Sequence, residues 1–388
     1  MAIKYIADLF CGAGGTSTGA VRACAAMGVE FELLAINHWR TAVRTHELNH
    51  PTVRHLCCDL DNVNPNRAFP GALDLLAGSP ECTHHSVARG GRPCSEQSRA
   101  SAWHVLHWAD KKQPKAVLVE NVREFRDWGP LNARGRPLKS RKGELFLNFL
   151  QSLAALGYGV EWRLLNAADY GDATTRTRLF ILARKGTAPV AWPEPSHHRK
   201  GEGGMAQWRA AREIIDWSLP GRSISDRKRP LAPNTMKRIR AGLRKFGGEA
   251  FLVVLRGTQE YQLTASAADL DDPLSAVTTC NHHWLCEPFL VKFYGTGISK
   301  SVTDPLDTVT SKDRFLLVEP QSNSDVRLPG FERGLDIRTR MLQPHELAAA
   351  MGFPKGYLFY GNRTAQVKQI GNAVAVNLAT ALCRVQLS

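Results

Sequence analysis

Three short segments carry residues whose types and spacing could do chemistry. DLFCGAGG (8–15) runs an apolar strand into a glycine-rich turn. SPECTHHS (79–86) places Cys82 just past the end of a short apolar run, DLLAG (74–78), that breaks at Gly78. LVENV (118–122) places Glu120 directly after apolar strand residues. A cofactor turn, a thiol and an acid, in that order, suit covalent attack on a pyrimidine ring followed by alkyl transfer. Each has a plainer reading alone: Cys82 as a small buried hydrophobe, Glu120 as a turn or capping acid, and the glycines as a tight turn without a ligand.

Other residues extend these three. Gly12, Gly14 and Gly15 lack side chains where a strand becomes a helix, so a cofactor can approach the backbone. No Walker-type lysine follows, which argues against a nucleoside triphosphate. Phe10 ends the first strand and Trp39 lies just past the second; both are placed to stack on an adenine ring. His38 stands where nucleoside-binding sheets often carry an acid for the ribose hydroxyls. Asp59 follows the third strand and is placed to accept from the adenine amino group. In TTRTRLF (174–180), Arg176 and Arg178 alternate and are expected on one strand face, suiting a carbonyl oxygen and a phosphate; the plainer reading is a solvated face. After Cys82 comes a polar, basic stretch, THHSVARGGRPCSEQSR (83–99), in which Ser86, Arg89, Arg92 and Arg99 are candidates for contact with DNA phosphates.

The elements that must position these residues alternate. Strand patterns at 3–10, 31–37, 74–78, 116–122 and 178–183 are separated by helical ones at 16–28, 41–50, 100–111 and 144–157. Alternating β and α elements with apolar strands predict a doubly wound, mostly parallel, Rossmann-like α/β sheet covered on both faces. Ligands bind such sheets at the carboxyl ends of the strands. Two helical patterns, 339–354 and 366–386, close the chain; the second is expected to open with a glycine turn.

Composition bounds the partners. The 388 residues allow two domains, and a net charge of +14 with a pI near 9.5 favours a polyanion such as nucleic acid. Nine cysteines without dense spacing argue against a disulfide scaffold. No apolar run approaches the length of a membrane span, and 1–10 lacks a signal-peptide pattern, so a soluble, cytoplasmic protein is expected.

Residues 185–337 differ from the rest and are expected to form a smaller β-rich domain inserted between 1–184 and 338–388. Within 199–245 there are thirteen Lys/Arg against four Asp/Glu. An internal repeat follows. FLVVLRGT (251–258) is echoed by FLVKFYGT (289–296), DPLSAVTT (272–279) by DPLDTVTS (304–311), and LCEP (285–288) by LVEP (317–320). Two β-rich units, about 251–288 and 289–320, are expected. Cys280, His282, His283 and Cys286 have zinc-ligand types, but the second copy has Lys312, Arg314, Phe315 and Val318 there, so no metal is expected.

Together these segments resemble the DNA (cytosine-5)-methyltransferase family over nearly all of 1–184 and 338–388. DLFCGAGG is similar to its cofactor turn, AINHW (35–39) to its second cofactor segment, and CDL (58–60) carries Asp59. SPECTHHS resembles its catalytic loop, with Cys82 eight residues after Asp74. ENV carries Glu120, TTRTR resembles its paired-arginine strand, and QIGNAV (369–374) resembles its last motif, with Asn372 near the cofactor. The chain departs from the family at Glu81, where proline usually precedes the nucleophile, and at His38, Thr174 and Ala375.

The resemblance implies an active enzyme using S-adenosylmethionine, without a metal, on a flipped cytosine in a specific double-stranded DNA sequence. Cys82 would attack carbon 6, Glu120 hold the ring nitrogen and Arg178 the ring carbonyl. Residues 185–337 would be the target-recognition domain. A prokaryotic or phage-type protein acting as a monomer is expected, with a cognate restriction endonuclease as a possible companion. Two alternatives stay open: an RNA cytosine-5 methyltransferase, and an inactive methyltransferase-like DNA-binding protein.

Overall fold

The computed structural model describes residues 2–80, 101–224, 230–233, 235–237, 251–254, 267–269, 282–286, 289–292, 300–301, 304–310, 314–322 and 335–388. The chain divides into two compact units. The first comprises Met1–Asn166, Thr177–Glu194 and Ala373–Ser388; the second comprises Ala167–Arg176 and Pro195–Asn372. Residues 338–372, grouped with the first domain from sequence, therefore fall in the second unit.

The first unit is built on a seven-stranded sheet. Its strands are β1 (Ile3–Leu9), β2 (Glu30–Ile36), β3 (Arg54–Leu56), β4 (Leu75–Gly78), β5 (Ala116–Asn121), β6 (Tyr158–Asn166) and β7 (Thr177–Lys185). Their order is β3-β2-β1-β4-β5-β7-β6. The run from β3 to β5 is parallel, while β7 is antiparallel to both β5 and β6. Every residue of β4 and β5 is buried, as expected of parallel strands covered on both faces.

Helices α1 (Gly15–Met27), α2 (Arg40–Asn49), α3 (Pro65–Ala68), α4 (Ala102–Lys112) and α5 (Glu144–Ala155) connect these strands. The C-terminal helix (Val376–Leu387) packs on α1 through small residues. A Cβ added at Gly19 would lie 2.6 Å from the Ala379 Cβ, so only glycine permits this crossing. Beneath α4 and α5, Trp108, Phe125, Trp128 and Phe149 are fully buried and form an aromatic core, with Phe125 stacked on Trp128 at 5.2 Å. Each such side chain contributes roughly 1.5–3 kcal/mol by burial.

Four sequence expectations need correction. β6 was not anticipated, because Glu161, Trp162 and Arg163 interrupt its apolar pattern; it is an edge strand that exposes them to solvent. Residues 339–354 are not one helix: a strand occupies Leu335–Met341, and Pro344, at a first-turn position, opens a separate helix over Pro344–Ala350. QIGN ends a helix (Arg363–Asn372) instead of forming an opening turn, and the next helix starts at Val376. The break at 373–375 divides the one stretch among the described residues with the length and mean hydropathy (1.2) of a membrane span, 67% of which is buried within protein. Finally, β7 starts at Thr177, so Arg176 lies outside the strand that holds Arg178.

The second unit contains an eight-stranded sheet. Within it the two copies of the internal repeat lie side by side. Phe251–Val254 pairs in parallel with Phe289–Lys292, Val253 opposite Val291. His282–Cys286 pairs in parallel with Arg314–Ser322, His282 opposite Arg314. Each pair joins equivalent positions of the two copies. Asp304–Thr310, the second DPL segment, is wholly buried beside Asp172–Arg176, with Leu306 bridged to Thr174 and the Thr175 amide donating to the Leu306 carbonyl at 2.9 Å. Cys280 lies outside the described residues, so the zinc-like cluster is not described. Residues 225–229, 234 and 238–245 of the basic stretch also lie outside them.

Candidate active site

The glycine-rich turn expected to meet the cofactor lies at the carboxyl end of β1. Phe10 takes a left-handed backbone conformation (φ 61°), uncommon for a residue with a side chain and typical of strained functional turns. Gly12 (φ 55°) and Gly14 (φ 93°) continue the turn, and Gly14 caps α1 without a side-chain cap. Gly15 packs against the backbone of Val374, where a Cβ would collide. Gly14 and Gly15 are buried at the positive dipole end of α1, and Gly12 is the half-buried glycine of the turn, the one whose backbone a ligand would reach.

Asp8, read from sequence only as a strand residue, is buried under this turn. Its Oδ2 accepts from the Ser17 hydroxyl at 2.6 Å, while its Oδ1 has no hydrogen-bond partner among the described residues. Burial pushes its carboxyl up to about 7, against the lowering effect of the Ser17 bonds. A strand-end acid followed nine residues later by serine is the only trace of this pair in the sequence.

His38 is exposed and Trp39 half-buried at the end of β2; the Trp39 amide donates to Asn37 Oδ1 at 2.8 Å. Asp59 is exposed and precedes a short 3-10 turn, Leu60–Asn62. Between these segments sits a histidine cluster that sequence reading missed. His46 Nδ1 and His55 Nε2 are 2.8 Å apart, and His50 Nε2 lies 3.0 Å from the Thr18 hydroxyl. The His46 ring lies 4.8 Å from each of the other two. Burial is the main cause that lowers all three, His50 to about 4, with the neighbouring imidazoles adding to the effect on His46 and His50 and the Glu47 charge opposing it at His55.

Between pH 6.5 and about 4 the folded state therefore binds fewer protons at these sites than the unfolded chain, and stability falls as pH falls. His50 alone accounts for up to about 3 kcal/mol at about 1.4 kcal/mol per pH unit. The acid-side drop in Tm is expected to shrink in His50→Asn. Equal drops in variant and wild type would remove His50 as its source.

Glu120 and Arg178 meet across β5 and β7. Glu120 is opposite Phe180, so Arg178, two residues before Phe180, is its diagonal neighbour on the same face. Arg178 Nε lies 3.4 Å from Glu120 Oε1, and a terminal nitrogen of Arg178 donates to the Thr177 carbonyl at 2.8 Å. Glu120 lines a narrow cleft with Thr16, Gly78, Ser79, Phe180 and Val374. The next residue, Asn121, is buried; its amide donates to the Pro80 carbonyl at 3.1 Å and its oxygen accepts from the Val122 amide at 2.8 Å. It fixes the backbone two positions before Cys82. Cys82, Ser86, Arg89, Arg92 and Arg99 lie outside the described residues.

Arg176 and Asn372 belong to the second unit. Arg176 is buried, and its guanidinium donates to the carbonyls of Val309 (3.2 Å) and Gly371 (3.1 Å). It joins the DPLDTVT segment to the end of helix Arg363–Asn372. Asn372 is exposed at the last position of that helix. Among the described residues no group of three or more His, Cys, Asp or Glu is arranged to hold a metal ion.

Comparison with known proteins places the chain in a family. The family model for C-5 cytosine-specific DNA methylases matches residues 5–387. Type II methyltransferase M1.HphI of Haemophilus parahaemolyticus is 24% identical, over 100% of this chain and 87% of that protein. Type II methyltransferase M.NgoPII of Neisseria gonorrhoeae is 25% identical, over 96% and 92%. In fold, the chain is similar to the Entamoeba histolytica methyltransferase EhMeth (TM-score 0.60, 13% identity, covering 100% of this chain and 98% of that one). It is also similar to a putative DNA modification methyltransferase encoded within an Escherichia coli prophage (TM-score 0.56, 18% identity, 98% of each). The chain belongs to the C-5 cytosine-specific DNA methylase family, and its enzyme class is DNA (cytosine-5)-methyltransferase.

Proposed function

We propose that this chain methylates carbon 5 of a flipped cytosine within a specific duplex DNA sequence, through a covalent adduct to Cys82. The observation that carries this reading is the pair of buried Glu120 and half-buried Arg178 at 3.4 Å, next to the Asn121 bond that holds the chain just before Cys82. An acid and a guanidinium on one face match a pyrimidine edge, which offers a ring nitrogen and a carbonyl side by side. A base inside the duplex cannot reach them, so it must leave the stack.

The Cys82 thiolate forms a bond to carbon 6. Glu120 holds a proton at the ring nitrogen and Arg178 holds the ring oxygen, so electron density moves toward carbon 5. Carbon 5 takes the methyl group; loss of its proton and expulsion of the thiolate restore the ring. S-adenosylmethionine, when bound, supplies that methyl as an electrophile on sulfonium. The turn at Gly12 leading into the α1 terminus at Gly14 and Gly15, with Phe10 beside it, and the Trp39 ring are the residues that would hold it. His38 and Asp59 would face its ribose and adenine, and Asn372 its neighbourhood. Ser86, Arg89, Arg92 and Arg99 would close on the phosphates. Arg176 would act by bracing Val309 and Gly371 more than by touching the base. Residues 185–337 would read the target sequence.

Cys82→Ser is expected to abolish both methyl transfer and irreversible trapping on duplex DNA containing 5-fluorocytosine. Near-normal turnover by this variant would eliminate the assignment. Trapping of the wild type on RNA instead of DNA would favour an RNA substrate, and no trapping on either would favour a binding protein without activity.

A further inference from the structure

Immediately after the Glu120–Val122 segment the chain makes an excursion that nothing above assigns. Phe125 and Trp128 anchor its start in the aromatic core. Its end returns to the same point, where the amides of Leu145 and Phe146 donate to the Trp128 carbonyl at 3.0 and 3.1 Å. Between them, Leu131 and Pro137 form an antiparallel bridge, and the Leu138 amide donates to the Pro130 carbonyl at 3.0 Å. Asn132 organises the tip. Its side-chain oxygen accepts from the amides of Arg134 (2.9 Å) and Arg136 (3.0 Å), and its carbonyl accepts from the Gly135 amide at 2.9 Å. The result is a short, internally bonded hairpin.

The hairpin and its flanks are strongly basic. Residues 123–142 hold seven Lys/Arg against Glu124 and Asp127. Arg126 and Lys142 share Asp127, and Arg141 pairs with Glu144. That leaves Arg123, Arg134, Arg136 and Lys139 exposed, with no acidic partner among the described residues. A solvated charged face needs neither an ordered tip nor two arginines one residue apart whose amides share one acceptor. Pre-ordering matters for a polyanion, because a rigid loop loses little freedom on binding. The excursion also leaves from the carboxyl end of β5, the side on which ligands meet such a sheet.

We propose that the 130–139 hairpin is a second DNA-binding element, in which Arg134, Arg136 and Lys139 clamp the phosphate backbone of the duplex whose cytosine is methylated. This rests on the DNA methyltransferase reading. The contacts are to phosphates and carry no sequence information, so they position the duplex while the recognition region selects it.

The test is the salt dependence of binding, measured by fluorescence anisotropy with full-length protein on duplexes of matching and of scrambled sequence, between about 50 and about 200 mM salt. Arg134→Ala/Arg136→Ala/Lys139→Ala is expected to lower affinity about 10- to 100-fold and to reduce the log–log salt slope by about 2 to 3, near 0.9 per lost contact. The loss is equal on both duplexes and Tm is unchanged. Arg134→Lys/Arg136→Lys restores the affinity, because a point charge suffices. Asn132→Ala keeps the charges, disorganises the tip and weakens binding in the same direction. An unchanged slope in the triple variant, a loss confined to the matching duplex, or a loss seen on structured RNA but not on DNA would each overturn the proposal. A wild type without any salt-sensitive DNA affinity would overturn the DNA reading with it; a wild-type slope that survives in the triple variant overturns the hairpin alone.

Discussion

Glu120→Gln is expected to slow methyl transfer to duplex DNA by about 10²- to 10⁴-fold, the range over which a positioned acid contributes. The replacement keeps shape and volume, so the buried end of β5 stays filled. It removes the proton that would be held at the ring nitrogen and the negative charge 3.4 Å from Arg178 Nε. Arg178 keeps its bond to the Thr177 carbonyl, so its side chain is not left without a partner. Single-turnover rates with enzyme in excess isolate this step from product release. A decrease of less than about 10-fold would show that the acid contributes orientation alone. S-adenosylmethionine affinity, measured separately, should change little, because the cofactor turn lies on β1 and α1 while Glu120 lies on β5.

Glu346→Ala carries the largest expected cost in stability. Arg340 and Glu346 form a bidentate pair, 2.8 Å at each of two contacts, with Glu346 fully buried. Glu346 also accepts from the amides of Asp216 (2.7 Å) and Gln343 (2.6 Å), and Arg340 donates to the carbonyls of Leu219 (2.9 Å) and Asp216 (2.8 Å). Every side-chain nitrogen of Arg340 and oxygen of Glu346 is thus engaged. Removing the carboxylate strands a buried guanidinium and two amides, a loss of about 3–5 kcal/mol. Urea unfolding of variant and wild type measures it. The double change Arg340→Met/Glu346→Leu should cost less than Glu346→Ala, since no charge is left unpaired. A double change that costs as much as the sum of the singles would mean that the pair is not a coupled unit.

Much of the first unit was legible because its residues obey one pattern at a time. β4 and β5 are unbroken apolar runs, and α1 stops where Gly28 takes a left-handed conformation. The glycine turn after β1 was legible, as a turn, for the same reason, since Gly12 and Gly14 occupy backbone conformations that few other residues tolerate. β6 was not legible, because an edge strand tolerates charge where a central one does not. Arg176 was not legible either: in TTRTR nothing distinguishes an arginine buried against two carbonyls from one facing solvent. Asp8 and the His46–His50–His55 cluster depend on contacts between separate elements, which no local spacing encodes. The antiparallel turn of β7 likewise follows from a hairpin-like return after β6, not from anything in its own apolar run.

The side-by-side repeat copies have a consequence for how the second sheet selects one pairing. FLVV and FLVK differ at a single residue, Val254 against Lys292, and they occupy adjacent parallel slots. Swapping the two would preserve nearly all local preferences, so the exchanged arrangement is the expected competitor during folding. Lys292 is in register with His283 and with Phe315, and Val254 has neither pairing among the described residues, so this position is where the two copies are expected to be told apart. Two molecules folding together could satisfy the same slots by exchanging copies, so a chain with Lys292→Val should populate strand-exchanged dimers on refolding at high protein concentration.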